Sequence, residues 1–184
     1  MKLKQFSVIL ILLLIQSCCF TRGKEIGRVH FTVEEKASIP YADGQNSDFI
    51  TNENHQFSLN TSINSGFNSG QNHCEDYTSY EYYSANLVSE LPTLDIQLRL
   101  QRSNIEVETD QFTYNVSIEI NGLWFYYNIN QPLESIEISE ITYTDVYRYN
   151  PENETSPISE VFFNEAVGIL KINYTNGDYV QINS

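Results

Sequence analysis

The chain has 184 residues and carries 24 Asp and Glu against 10 Lys and Arg, a formal net charge of −14. That balance argues against a nucleic-acid partner, because affinity for phosphate comes from Lys and Arg. Three cysteines are too few for a disulfide framework, and the length suits one domain with a core that needs neither metal nor disulfide staples.

Residues 1–17 read as a signal segment: Lys2 and Lys4 precede the apolar run Val8 to Ile15, followed by Gln16, Ser17, Cys18 and Cys19. The run is shorter than the roughly 20 apolar residues that span a bilayer, and it has the length of a secretory core segment. The residues Leu14, Ile15, Gln16, Ser17 and Cys18 resemble the lipobox of bacterial lipoproteins. In that family a small residue precedes a cysteine that is diacylated through its thiol and becomes the new N-terminus. The family favours Leu where Ile15 stands and Gly or Ala where Ser17 stands, and Ser is familiar there in lipoproteins of the Bacteroidota. The alternatives are modification of Cys19, or an ordinary secretory peptide with an incidental cysteine pair; Cys18 is the preferred lipidation site. The resemblance implies an outer-membrane location, periplasmic or surface-exposed, since Cys19 stands where Asp is the inner-membrane retention signal of enterobacteria.

Cleavage before Cys18 leaves eight cations against 24 acids, a net of −16. Four of the eight, Arg22, Lys24, Arg28 and Lys36, lie on or close to the lipidated tether at 18–26, where each suits either anionic head groups or ordinary solvation. Cys74 is the only cysteine left to pair with Cys19.

Residues 27–184 read as a single β domain, because apolar positions alternate and no long stretch has helical spacing. Short alternating strands point to an antiparallel β-sandwich of about 7 to 10 strands, with a small up-and-down β-barrel as the alternative. Weak strands come first, at Arg28 to Val33 and Gln56 to Thr61. Long loops are expected near 40–55 and 64–76, which are rich in Asn, Ser, Gly and Asp. Thr93 to Gln101 follows as a half-buried strand, with Leu94, Ile96, Leu98 and Leu100 on one face and Asp95, Gln97, Arg99 and Gln101 on the other.

Phe112 to Ile120 and Leu123 to Ile129 flank Asn121-Gly122, a strong signal for a type I′ hairpin. A two-residue loop sets Ile120 against Leu123 and Ile118 against Phe125, and on the other face Glu119 against Trp124 and Ser117 against Tyr126. Ser135 to Tyr147, broken near Glu140, and Ser159 to Phe163 are further strands. Between them Tyr149 to Ser156 reads as a loop, with Pro151 excluded from a central strand. At the C-terminus a three-residue loop with Gly177 left-handed pairs Tyr174 with Asp178 and Ile172 with Val180, keeping the apolar residues on one face. This last hairpin resembles the closing strand-turn-strand of many uncharacterised lipoproteins of the Bacteroidota, and the likeness implies no function.

No cofactor or metal is expected. His73, Cys74 and Asp76 are the nearest approach to a ligand set, and their spacing matches no closed zinc pattern. Asp43, Asn46 and Asp48 lack the calcium-loop pattern, and His30 and His55 bring no motif. No nucleophile elbow, zinc-protease helix or phosphate-binding glycine loop is present, so an enzyme is not expected, although a small envelope hydrolase stays as an alternative. The aromatic residues are the more informative feature. Trp124 and Tyr126 on the polar hairpin face, with Tyr80 and Tyr82 in the Tyr77 to Tyr83 cluster, are candidates for stacking on a glycan or anchoring an envelope protein partner; cross-strand packing is the other reading. The expected protein is a membrane-anchored lipoprotein, a binding or structural module of the bacterial cell envelope.

Overall fold

The structure, a computed structural model, describes residues 23–68, 76–102, 114–127, 133–151 and 155–183. Among the described residues it is all-β, with twelve strands and one short helix, which fall into two compact units. The smaller comprises residues up to His30 together with Gly66–Glu81, and the larger comprises Phe31–Ser65 with Tyr82–Ser184.

In the smaller unit β1 (Glu25–Val29) pairs in parallel with the first residues of β4 (Tyr77–Ser89), Arg28 against Ser79 and Val29 against Tyr80. Arg28 binds Glu25 at 2.7 Å, which holds that carboxyl below its ordinary range, and its guanidinium lies 4.9 Å from the Phe67 ring.

The larger unit is where the barrel closes. Its strands are β2 (Asn46–Thr51), β3 (Gln56–Asn68) as far as Ser65, β4 from Tyr82 onward, β5 (Leu94–Arg102), β6 (Tyr114–Ile120), β7 (Leu123–Tyr127), β8 (Leu133–Ile138), β9 (Ile141–Pro151), β10 (Ile158–Asn164), β11 (Gly168–Tyr174) and β12 (Tyr179–Ile182). Ten of them follow one another in the order β2-β3-β4-β5-β6-β7-β9-β10-β11-β12, and β12 returns to β2 through Val180 against Thr51 and Ile182 against Phe49. Of the two all-β architectures the alternation allows, this is the up-and-down barrel rather than the sandwich. The deciding contacts are the seven-residue ladder of β4 with β5 and the β12–β2 pairing, which leave none of these ten strands as an edge.

The two hairpins read from the sequence have the expected registers. Asn121 and Gly122 have φ of 49° and 82°, as a type I′ turn requires, and pair Glu119 with Trp124 and Ile118 with Phe125. Gly177 at φ 94° closes the last turn, with the Tyr174 N–H donating to the Asp178 carbonyl at 2.9 Å and Ile172 facing Val180.

Four segments differ from expectation. Residues 46–51 form β2 inside the supposed 40–55 loop; the outward Asn46 and Asp48 bond Asn60 and Ser58 across the ladder while Phe49 fills the interior, so polarity hid a strand that has only one apolar face. β3 runs on through Asn64 to Asn68, into the second supposed loop. β9 continues to Pro151, which is its last residue and pairs with Phe125 of β7. Instead of a strand running to Val33, the chain turns into helix α1 (Val33–Ala37), whose Thr32 hydroxyl accepts from the Glu35 N–H while the Glu35 carboxylate accepts from the Thr32 N–H, a capping box.

Inward side chains stack in rows across the ladder: Leu87, Ile96 and Ile120, then Ala85, Leu98, Ile118 and Phe125. Each fully buried aliphatic or aromatic side chain contributes about 1.5–3 kcal/mol. Tyr149 is buried among them and donates its hydroxyl hydrogen to the Val116 carbonyl at 3.0 Å. Phe31, just before α1, and Ile39 and Tyr41, just after it, join the same core.

The hairpin of β8 and β9 makes a second, outer core. Ile138 and Val146 pack on Phe162 and Leu170, residues that alternate with the inward Phe163 and Ile169, and the Gln181 amide donates to the Ser139 hydroxyl at 3.0 Å. Ser139 and Glu140 take positive φ of 52° and 67°, which is where the sequence alternation breaks.

Candidate functional site

The polar face expected beside Trp124 is part of a longer row. On the outward face Asn86 of β4 pairs with Gln97 of β5, Gln97 with Glu119 of β6, and Glu119 with Trp124 of β7, so four side chains form a straight ladder across four strands. The inward neighbours Ala85, Leu87, Ile96, Leu98, Ile118 and Ile120 are buried, so the backbone carrying the row is anchored by the core.

Arg99 ties the row together. It lies two residues from Gln97 on the same face, donates from Nε to Gln97 Oε1 and from Nη2 to Glu119 Oε2 at 3.3 Å, and its guanidinium sits 4.6 Å from the centre of the Trp124 ring. Gln97 Nε2 in turn donates to Asn86 Oδ1 at 2.6 Å. One cation thereby engages a carboxylate, an amide and an aromatic face, the combination for which a planar guanidinium is suited.

Beside the ladder lies a groove of about 340 Å³ lined by Ser62, Asn86, Val88, Asp95, Gln97, Glu119 and Gly122. Its size is that of a small-ligand cleft, for which about 300–1,000 Å³ is usual. The turn at Asn121 fixes one wall: the Asn121 side chain accepts from the Asp95 N–H at 2.9 Å and the Asn121 N–H donates to the Asp95 carbonyl at 2.8 Å. Asp95 is thereby held diagonal to Glu119 on the neighbouring strand, and both carboxylates face the groove.

Among the residues singled out from the sequence, Trp124 is half-buried on the outer face; it does not line the groove, but pairs with Glu119, which does. Tyr126 lies in β7 opposite Asn150, and its side chain is outside the described residues. Tyr80 and Tyr82 are 38% and 39% exposed, and neither lines the groove. Tyr83 instead packs against the core, with the Lys36 ammonium 5.7 Å from its ring. Asp43 accepts from the Ile63 N–H, and Asn46 and Asp48 hold their cross-strand partners, so the Asp43 to Asp48 stretch is structural. Asp76 accepts from the Lys24 N–H at 2.9 Å; His73, Cys74, Cys18 and Cys19 lie outside the described residues. Among the described residues no three His, Cys, Asp or Glu side chains are placed to hold a metal ion, and no helix is long and apolar enough to cross a membrane.

Asn86, Gln97, Arg99, Asp95 and Ser62 were not singled out as site residues from the sequence. The signal was the polar side of the Thr93 to Gln101 alternation, which acquires meaning only once β5 is known to stand between β4 and β6.

A second titratable group lies at Tyr147 and Glu165. Burial pushes the Glu165 carboxyl up, and burial with the nearby charges of Glu165 and Asp145 pushes the Tyr147 phenol up. Tyr114, which also contributes to the Tyr147 shift, accepts from the Ser38 hydroxyl at 3.3 Å. No family model, curated protein or solved structure matches the chain.

Proposed function

We propose that this chain is a lipid-anchored protein of the bacterial outer membrane that binds glycans on the outward β4–β7 face and does not transform them. The observation that carries the binding assignment is the ladder Asn86–Gln97–Glu119–Trp124 beside its groove. Planar amide and carboxylate groups bridge neighbouring hydroxyls, and the amphipathic indole of Trp124, over which the Arg99 guanidinium lies, stands next to them in the row. An open groove held by rigid strands suits a polymer that lies along it, and preorganised side chains lose little entropy on binding. The anchor assignment rests on Leu14 to Cys18 and their resemblance to a lipobox.

Two measurements test the two halves. Blocking lipoprotein signal peptidase with globomycin should leave a larger precursor, and an unchanged product would remove the anchor. The fluorescence of Trp124, the only tryptophan in the chain, should respond to at least one member of a polysaccharide panel. No response across the panel, together with no retention on immobilised polysaccharides, would remove the glycan assignment.

A further inference from the structure

The direction of the hydrogen bonds in the ladder selects among glycans, and this step rests on the glycan reading above. A guanidinium only donates, so the Gln97 atom facing Arg99 Nε must be the amide oxygen, which turns Gln97 Nε2 toward Asn86. The atom of Asn86 that accepts from Nε2 must then be Oδ1, so the amide nitrogen of Asn86 is presented as a donor. The charge of Arg99 thus sets the polarity of the row from one end to the other.

The groove consequently offers the oriented amide N–H donors of Asn86 and the second N–H of Gln97 beside two acceptor carboxylates, Asp95 and Glu119, with the Ser62 hydroxyl able to act either way. The cation nearest to them, Arg99, is committed to Glu119, Gln97 and the Trp124 ring. A sugar hydroxyl both donates and accepts, so a pair of neighbouring hydroxyls can satisfy a donor and a carboxylate together. A sulfate, phosphate or uronate group is acceptor-only and would meet the Asp95 carboxylate, which no ion pair among the described residues neutralises, beside a Glu119 whose charge Arg99 already balances.

We infer that the groove takes a neutral, hydroxyl-rich saccharide and rejects acidic ones, and that Arg99 is a positioning residue which fixes the donor–acceptor order of the ladder. Gln97 is the relay through which it acts, and Asn86 is a donor that meets the ligand.

The test uses the full-length protein in detergent micelles and polysaccharides in matched pairs, each neutral polymer beside its sulfated or carboxylated form, read by tryptophan fluorescence and by retention on the immobilised polymers. The neutral member of the responding pair should bind at least about tenfold tighter than its charged form, the order of difference expected from placing a like charge against an unpaired carboxylate. Arg99→Lys keeps the charge but loses the fork, and Gln97→Glu keeps an acceptor for Arg99 but loses the donor to Asn86. Each should weaken neutral binding by about tenfold, the scale of a lost hydrogen bond to a charged network, with the thermal melting point little changed. Asn86→Asp should do the same by replacing the donor with an acceptor, and it should make binding more sensitive to added salt. Tighter binding of the charged members would overturn the inference while leaving the glycan reading standing. Neutral binding that survives both Arg99→Lys and Gln97→Glu would overturn the relay. Failure of every polysaccharide, neutral and charged, would remove the glycan reading and this inference with it.

Discussion

Tyr41 and Gly168 fit closely against one another, and a single hydroxyl tests the fit. Tyr41 is buried, and its oxygen accepts from the Ile169 N–H at 2.7 Å, while Ile169 is 0% exposed. Tyr41→Phe keeps the ring and removes only that acceptor, leaving a buried amide hydrogen without a partner. Such a loss costs about 1–3 kcal/mol. In a domain of this size each kcal/mol lowers the melting point by about 2–4 °C, so a fall of about 2–12 °C is expected. Gly168 stands against the same ring: its φ is +103°, and an added Cβ would overlap the Tyr41 hydroxyl and ring carbons. Gly168→Ala should therefore destabilise more than Tyr41→Phe, since it adds backbone strain of about 1–3 kcal/mol to a steric conflict. In a Tyr41→Ala background the conflict is gone and only the strain is left, so the two changes should be clearly non-additive. Urea unfolding of wild type, Tyr41→Phe, Gly168→Ala, Tyr41→Ala and the Tyr41→Ala/Gly168→Ala double variant measures this. Equal stability of Tyr41→Phe and wild type, or additive costs for Gly168→Ala and Tyr41→Ala, would refute the placement of the α1 segment in the barrel.

Burial also raises the Tyr41 phenol well above its usual range. An acid raised on folding contributes stability that is present below its unfolded pKa and lost as pH climbs, so wild type should weaken above about pH 10. Tyr41→Phe should weaken less there, and the difference between the two proteins should shrink as pH rises. Glu165 is raised by burial too, so its ionisation disfavours the fold once pH passes the ordinary carboxylate range. Glu165→Gln should be more stable than wild type at pH 7, with the gap closing toward pH 4, as followed by thermal melts. Asn164 is buried; its amide donates to the Thr144 carbonyl at 2.7 Å and its oxygen accepts from the Ala166 and Val167 N–H groups at 2.9 and 3.0 Å. Asn164→Ala should cost about 2–4 kcal/mol by denaturant unfolding, from several bonds lost at one turn. Asn121→Ala loses both a residue that tolerates φ 49° and the acceptor for the Asp95 N–H, so it should lower stability by about 1–2 kcal/mol and reduce glycan binding through the displaced groove wall.

What the sequence disclosed were the local features. The two Asn-Gly hairpins carry their registers in a few residues, because turn geometry and the apolar face agree on one pairing. The capping box of Thr32 and Glu35 was also written locally, but a helix as short as α1 leaves no periodicity to find. β2 and the polar stretches of β3 and β4 were hidden, since their stabilising partners are cross-strand side chains such as Asn60 for Asn46 and Ser58 for Asp48. Closure into a barrel rests on pairings of residues far apart in the chain, Val180 with Thr51 above all, which no local pattern encodes. The candidate site divides in the same way: Glu119 opposite Trp124 followed from the hairpin, whereas Gln97 and Asn86 joined them only through the order β4-β5-β6.

Hydrogen exchange of the backbone amides, with and without the polysaccharide that changes Trp124 fluorescence most, tests the central claim most directly. Glycan binding on the ladder predicts slowed exchange in the turn at 121–122 and along Asn86–Val88, Asp95–Arg99 and Ser117–Trp124, with β10 to β12 unchanged. Protection confined to β10 to β12, with those segments of β4 to β7 unaffected, would contradict it.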